Sequence, residues 1–246
     1  MKIVCVMPIY KRPAITIKTL ELLKKQELPI HIITIGSCDI DRKTAESVGV
    51  EYLQRPNRPL SDKWQYGIYY ARQYDPEAIM ICGSDAWLTT NWCKVAYKYI
   101  NDGFDMVGKR DFYTCYLAPN KKVEIIGRTY KTRKDPVGSG RLISKSILNK
   151  LNWKLYPSSI NASMDGKSFK RLESKNCRLK IITDRDDLIV LSLKSSEWET
   201  ITPYTKIANH GMFKNLADVG NPADWFNAHF PGAVKELKDI VPTVII

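Results

Sequence analysis

Short apolar runs rich in β-branched residues alternate with segments of helical period through the first 110 residues. Lys2–Ile9, bounded by Pro8, reads as a buried strand. Pro13 suits the first turn of a helix, where its missing N–H costs nothing. Ile17, Leu20 and Leu23 mark the inner face of that helix, Lys24 and Lys25 suit its C-terminal dipole, and Pro29 stops it. Ile30–Ile35 is a second buried strand, ended by Gly36-Ser37. A short helix over Arg42–Val48 and a third strand over Val50–Leu53 follow. Ser61 is placed to cap a helix with Trp64, Ile68 and Ala71 on one face. Ala78–Cys82 gives a fourth strand, closed by Gly83-Ser84-Asp85-Ala86. Trp92, Val95, Ala96 and Tyr99 recur at i, i+3, i+4 and i+7, which predicts a helix ending near Gly103. This alternation predicts an α/β fold with a mostly parallel central sheet, right-handed crossovers and flanking helices. Ligands of such sheets bind beyond the carboxyl ends of the strands, so Tyr10, Ser37, Asp39 and Asp85 are expected at one edge.

Beyond residue 110 the pattern loosens. Met106–Ala118 and Val123–Tyr130 read as strands joined through Pro119-Asn120. Gly138-Ser-Gly-Arg141 reads as a flexible turn into a short helix carrying Ile143, Ile147, Leu148 and Leu151. Ser163 is placed to cap a helix with Met164, Asp165, Phe169 and Leu172. Arg178–Thr183 and Leu188–Leu193 are strand-like, and the tail from Tyr204 has no assignable pattern. No internal repeat interrupts this order.

Composition narrows the class. Apolar residues make up 44% and charged residues 26% of the 246, which excludes disorder and allows a sizeable core. No apolar run reaches the ~18 residues of a membrane span. The opening Met-Lys-Ile-Val-Cys-Val-Met-Pro is too short in its apolar part for a secretory signal, so a cytoplasmic location is expected. Six cysteines without CxxC spacing fit reduced, mostly buried thiols better than a zinc site or a disulfide framework. The net charge is +12, of which +8 falls within residues 111–200. Seven basic residues face Glu124 and Asp135 between Lys121 and Arg141, and six face Glu173 between Lys167 and Lys180. Such a surface either attracts a polyanion or phosphorylated ligand, or is a solvated lysine-rich face.

The chemistry sits on carboxylates at strand ends and helix starts. GxxxxGK[ST] and GxGxxG sequences are absent, which argues against P-loop and dinucleotide folds. Four landmarks occur in order: Met7-Pro-Ile-Tyr10, Asn57 through Gly67 and Ala71, Ile81-Cys-Gly-Ser-Asp85, and Met164-Asp165 followed by Arg171-Leu172. Together they resemble the family 2-like glycosyltransferases of the GT-A fold, in outline over residues 1–175. The resemblance implies one GT-A-like domain over 1–246. Its nucleotide-sugar-binding half would be 1–110, its acceptor-binding half 111–200, and 201–246 a C-terminal segment.

Two departures from that pattern matter. Thr34-Ile35-Gly36-Ser37 stands where the family has Asp-Asp-Gly-Ser, so Asp39 is the substitute for the base-contacting aspartate. Gly83-Ser84-Asp85 keeps one carboxylate of the family's Asp-x-Asp. The implied donor contacts are Pro8, Tyr10, Arg12, Asp39, Lys63, Ser84 and Asp85. The implied cofactor is Mn²⁺ or Mg²⁺, with Asp85 and His210 as its protein ligands. Asp165 is the implied general base of an inverting single displacement. Trp87, Arg141 and Lys167 are assigned to the acceptor.

The expected activity is transfer of a sugar from a nucleotide-sugar donor, a UDP-sugar, to an acceptor hydroxyl. The charge within 121–180 points to DNA carrying a hydroxymethylated base, beside glycan, lipid-linked and protein acceptors. One rival is a non-catalytic nucleic-acid-binding protein on a degenerate GT-A scaffold. Another is a nucleotidyltransferase, against which the missing Gly-rich start argues.

Overall fold

A computed structural model describes residues 1–117, 122–132, 134–184, 187–194, 213–240 and 245–246. The first half runs β1 (Ile3–Pro8), α1 (Pro13–Lys24), β2 (His31–Gly36), α2 (Asp39–Val48), β3 (Glu51–Gln54), α3 (Leu60–Ala71), β4 (Ala78–Ile81), β5 (Ala86–Leu88) and α4 (Trp92–Asn101). The second half continues with β6 (Met106–Lys109), β7 (Asp111–Leu117), β8 (Val123–Tyr130), β9 (Arg141–Ser144), α5 (Lys145–Lys150), α6 (Met164–Glu173), β10 (Leu179–Ile182) and β11 (Val190–Lys194). It closes with β12 (Phe213–Asp218), α7 (Pro222–His229) and α8 (Ala233–Ile240).

A seven-stranded sheet has the order β10-β6-β9-β4-β1-β2-β3. Its pairs are parallel except at β9, which runs antiparallel to both β4 and β6. The pleat of β1 explains why this sheet is covered on both faces. Ile3, Cys5 and Met7 pack with Leu20 and Leu23 of α1, Ala45 of α2 and Ala96 of α4. Val4 and Val6, on the opposite face, pack with Ile68 of α3, Ile147 of α5 and Leu172 of α6. Successive side chains of a strand point to opposite faces, so a continuous apolar run is what a doubly covered parallel strand requires. Gly67 brings α3 close to the sheet. A Cβ there would lie 2.5 Å from Ile35 Cδ1 and 2.8 Å from Val6 Cγ1.

A second, five-stranded sheet has the order β12-β8-β7-β11-β5. It buries Cys115, Ile125, Leu191 and Leu193 against Trp225, Phe226 and Phe230 of α7 and its C-terminal turn, and against Leu237 of α8.

Four expectations from the sequence are corrected here. The single strand expected over Met106–Ala118 is, as far as Leu117, two strands, β6 and β7, in different sheets. Buried Lys109 marks the break, donating to the carbonyls of Asp184 and Leu188. Residues 141–144 form a central strand, and the helix begins only at Lys145, with Ser144 Oγ accepting from Ile147 N at 3.3 Å. Ser61 lies inside α3, whose N-cap is Pro59. Its N–H donates to the Ile160 carbonyl and its Oγ accepts from Ile160 N, each at 3.0 Å. Ser163 precedes α6 in a left-handed conformation, φ 58°, and its side chain makes no cap hydrogen bond. No helix among the described residues is long and apolar enough to cross a membrane.

Candidate active site

From β1 the chain winds one way to β2 and β3 and the other way to β4, so the sheet has a switch point between β1 and β4. A crevice of about 270 Å³ opens beyond the carboxyl ends of those two strands. Pro8, Tyr10 and Arg12 line it from the β1 side, Ser84 and Asp85 from the β4 side, and Lys63 from α3.

Arg12 is the N-cap of α1. Its Nη1 lies 3.3 Å from Asp85 Oδ2, and both side chains are largely buried. Arg12 Nε and Ser84 Oγ are buried without a hydrogen-bond partner among the described residues. Buried polar groups are normally satisfied, so these two atoms in the crevice wall are equipped for a polar ligand. Arg58, exposed at the crevice mouth, is a further cation that the sequence motifs did not single out.

Lys63 is buried beneath the crevice. Its Nζ donates to Ile9 O at 2.7 Å, Ser37 Oγ at 2.9 Å and Asn57 Oδ1 at 3.2 Å. Burial pushes its pKa down to about 8, against the opposing pull of Asp41. An ammonium has three N–H bonds, and here each has an acceptor. Lys63 therefore ties the ends of β1 and β2 to the loop before α3 and contributes charge to the crevice from below.

Asp39 is exposed at the start of α2, and Asp41 is the carboxylate that turns inward. Asp41 Oδ1 accepts from Lys11 N and Oδ2 from Ser37 N, both at 2.7 Å, which pins the two loops after β1 and β2 together. The periodicity of α2 carried this signal, because Asp41, Thr44, Ala45 and Val48 are its buried face at i, i+3, i+4 and i+7.

Asp165 reaches the same region from α6, with its side chain 42% exposed. The Gly138-Ser139-Gly140 turn stands between the two carboxylates. On one side Ser139 Oγ accepts from Gly83 N at 3.1 Å. On the other, a Cβ at Gly138 would lie 2.8 Å from Asp165 Oδ2, so glycine is what lets that carboxylate nest against the turn. Asp85 and Asp165 thus flank one turn.

The acceptor assignments fare differently. Trp87 is fully buried in the core of the second sheet, against Phe226 and Phe230, so its ring is not available to an acceptor. Arg141 is also buried, with its guanidinium engaged by protein acceptors, so it does not reach a ligand. Lys167 is exposed on α6, near Asp165. His210 lies outside the described residues.

The described residues supply few donors for a divalent cation, and His210, the expected second ligand, is not among them. Among the described residues Asp85 is the one carboxylate lining the crevice, and it is paired with Arg12. Among the described residues no three His, Cys, Asp or Glu side chains are grouped to hold a metal.

Fold and crevice together define an α/β domain with a crevice at the switch point of a mostly parallel sheet, the place where such sheets take ligands. Residues 4–152 match the family model described as glycosyl transferase family 2, and the chain belongs to that family. No curated protein matches the chain in sequence. Among solved structures it is similar to residues 1–349 of TarS from S. aureus, at 14% identity and a TM-score of 0.53. It is likewise similar to the same TarS fragment in complex with UDP, at 15% identity and a TM-score of 0.54. In both comparisons 81% of this chain is covered, and it spans only 62% of the TarS fragment. At such identities the likeness is one of fold, and it agrees with the GT-A architecture that the motifs implied.

Proposed function

We propose that the protein transfers a sugar, with inversion, from a nucleoside-diphosphate donor to an acceptor hydroxyl. The observation that carries this reading is that Arg12 and Asp85 line the crevice at the sheet's switch point, while Asp165 borders the Gly138–Gly140 turn whose Ser139 bonds Gly83 of the crevice wall. In the proposed step the acceptor O–H gives its proton to the Asp165 carboxylate as its oxygen bonds to the anomeric carbon. The bond from that carbon to the diphosphate oxygen breaks, and the nucleoside diphosphate leaves with the electron pair. Arg12 and Arg58 meet the negative charge that develops on the leaving group, with Lys63 supporting them electrostatically from below. Tyr10, half-buried at the end of β1, offers a ring for the base. UDP in the complex of a fold neighbour supports UDP as the nucleotide. Among the described residues the one carboxylate of the crevice is already held by Arg12, so the Mn²⁺ or Mg²⁺ expected from the family would compete with that ion pair.

For the acceptor, the charge around the crevice favours an anionic molecule, with DNA the reading suggested by the sequence. Arg58 lines both the crevice and the adjoining hollow, where the Arg55 guanidinium stacks 3.6 Å from the Tyr66 ring centroid. Tyr66 also borders the next hollow, with Lys154 and Arg171. Among the described residues Asp62 is the one acidic residue lining either hollow. Stacked rings among cations suit a nucleic-acid strand.

Release of nucleoside diphosphate from a panel of nucleotide sugars tests the enzyme reading. Asp165→Asn is expected to lower kcat by about 10²–10⁴-fold, the usual contribution of a general base. Absence of turnover with every donor overturns the reading. The acceptor reading is tested by the salt dependence of single-stranded DNA binding. A steep loss between 50 and 200 mM salt, made shallower by Arg55→Ala with Arg58→Ala, is expected, and binding indifferent to salt rejects it.

A further inference from the structure

Arg141 sits beside the proposed base, yet the crevice does not use it. Its side chain is 2% exposed. Nε donates to Val137 O at 2.8 Å, and Nη2 donates to Pro136 O at 2.5 Å and to Asp135 Oδ2 at 3.3 Å. Nη1 faces α6, 3.4 Å from the Asp165 carbonyl and 3.8 Å from Asp165 Oδ1. The guanidinium thus grips the Val137 turn and buried Asp135 with two of its nitrogens and the first turn of α6 with the third. A buried arginine is costly to hold and needs such complete pairing. Its planar fork is suited to fixing several oxygens at once, which an ammonium cannot do.

We propose that Arg141 is a positioning residue that holds Asp165 in place for proton abstraction. The proposal rests on the reading of Asp165 as the base. β9 is a central strand whose residues are buried throughout, so Arg141 springs from the most rigid part of the sheet. α6 begins after a left-handed residue whose side chain makes no cap hydrogen bond, so its first turn lacks local fixing of that kind. Arg141 supplies the fixing from the sheet, and Gly138 leaves room for the carboxylate beside it. Two buried or half-buried carboxylates, Asp135 and Asp165, share one cation, so neither can be moved without disturbing the other. Tyr156, buried nearby, completes the surroundings, and its hydroxyl is pushed up by burial first and by Asp165 second.

The test is a double-mutant cycle on the full chain, with sugar transfer and thermal unfolding both measured. Arg141→Lys keeps a cation for Asp135 but loses the fork. It is expected to lower kcat about tenfold or more while donor KM stays within about twofold. In the Asp165→Asn background the same change is expected to have little further effect on kcat, because residues acting as a unit are non-additive. Gly138→Ala, which leaves Arg141 intact and crowds Asp165 Oδ2, is expected to give the same selective loss of kcat, and it answers the case in which Arg141→Lys does not fold. A full additive loss in the double variant, a rise in donor KM at constant kcat, or a fully active Gly138→Ala overturns the proposal. Full activity of Asp165→Asn alone instead overturns the assignment of the base, which keeps the two failures distinct.

Discussion

Arg12 Nη1 lies 3.3 Å from Asp85 Oδ2 across the mouth of the β1–β4 crevice. In a sequence with one carboxylate of an Asp-x-Asp pattern, the position opposite that carboxylate is taken by a guanidinium. The pair joins the residue before α1 to the loop after β4, so it spans the switch point of the sheet. It also leaves Arg12 Nε without a hydrogen-bond partner among the described residues, in the crevice wall.

If the crevice takes the proposed donor, Arg12 is expected to matter more to its binding than a metal ion does. A divalent cation has to compete with Arg12 for Asp85, whereas a diphosphate gains a cation already in place. Arg12→Met is expected to weaken binding of a nucleoside diphosphate by about tenfold or more, the scale of a charge-assisted hydrogen bond worth ~1.5–3 kcal/mol. Chelation of divalent ions is expected to change the same affinity less than the substitution does. Calorimetric titration with and without chelator decides between them, and the reverse ranking rejects this account of the charge.

Lys63 predicts opposite responses of stability and ligand affinity to pH. Its folded pKa is about 8, below the ordinary lysine value of 10.5, because burial disfavours the charged form. Between those two values the unfolded chain binds more protons than the folded one, so stability rises with pH across that window. The cost of burying the ammonium is fully present below about 8 and fades above it. Affinity for an anionic nucleotide runs the other way, because the crevice loses a positive charge as pH passes about 8. Unfolding midpoints and nucleotide affinity measured from pH 7 to 10 are expected to diverge in this manner. Lys63→Met is expected to flatten both trends, and a variant retaining them shows that another group titrates.

Much of this arrangement was legible in the chain. The strand-helix alternation of residues 1–110 fixed the parallel half of the sheet and the edge where Tyr10, Ser37 and Asp85 meet, because a doubly covered strand must be apolar throughout. β9 was hidden because Ile143 stands at helical spacing from Ile147 while lying on a four-residue strand ahead of the helix. Short apolar runs carry no periodicity that separates strand from helix. The split at Arg110 was hidden for a related reason: both halves favour strand, and only tertiary pairing sends β6 and β7 to different sheets. Position after β2 points to Asp39, whereas helical period places Asp41 on the buried face of α2. Arg141 and Trp87 were read as ligand contacts because charge and aromaticity suggest exposure, and burial is decided by packing that a single chain does not display.

Gly67 offers a test of how the fold sets the site. A Cβ at this position would meet Ile35 Cδ1 at 2.5 Å and Val6 Cγ1 at 2.8 Å, closer than side chains pack. Alanine would favour the helix by ~1 kcal/mol on propensity alone. Overpacking against a filled core typically costs ~1–3 kcal/mol, and Val6 is held within the sheet where it has little room to yield. The second effect is expected to win, so Gly67→Ala should lower the unfolding midpoint by a few degrees, at roughly 2–4 °C per kcal/mol for a chain of this size. Ile35→Val, which removes the nearer contact atom, is expected to restore part of that loss in the double variant. The consequence extends to the site, because α3 also carries Lys63. A helix pushed away from the sheet moves Lys63 Nζ relative to Ile9 and Ser37, so donor KM is expected to rise along with the fall in stability. An unchanged midpoint in Gly67→Ala, or a loss that Ile35→Val fails to relieve, contradicts the close approach of α3 to β1 and β2 on which the crevice floor depends.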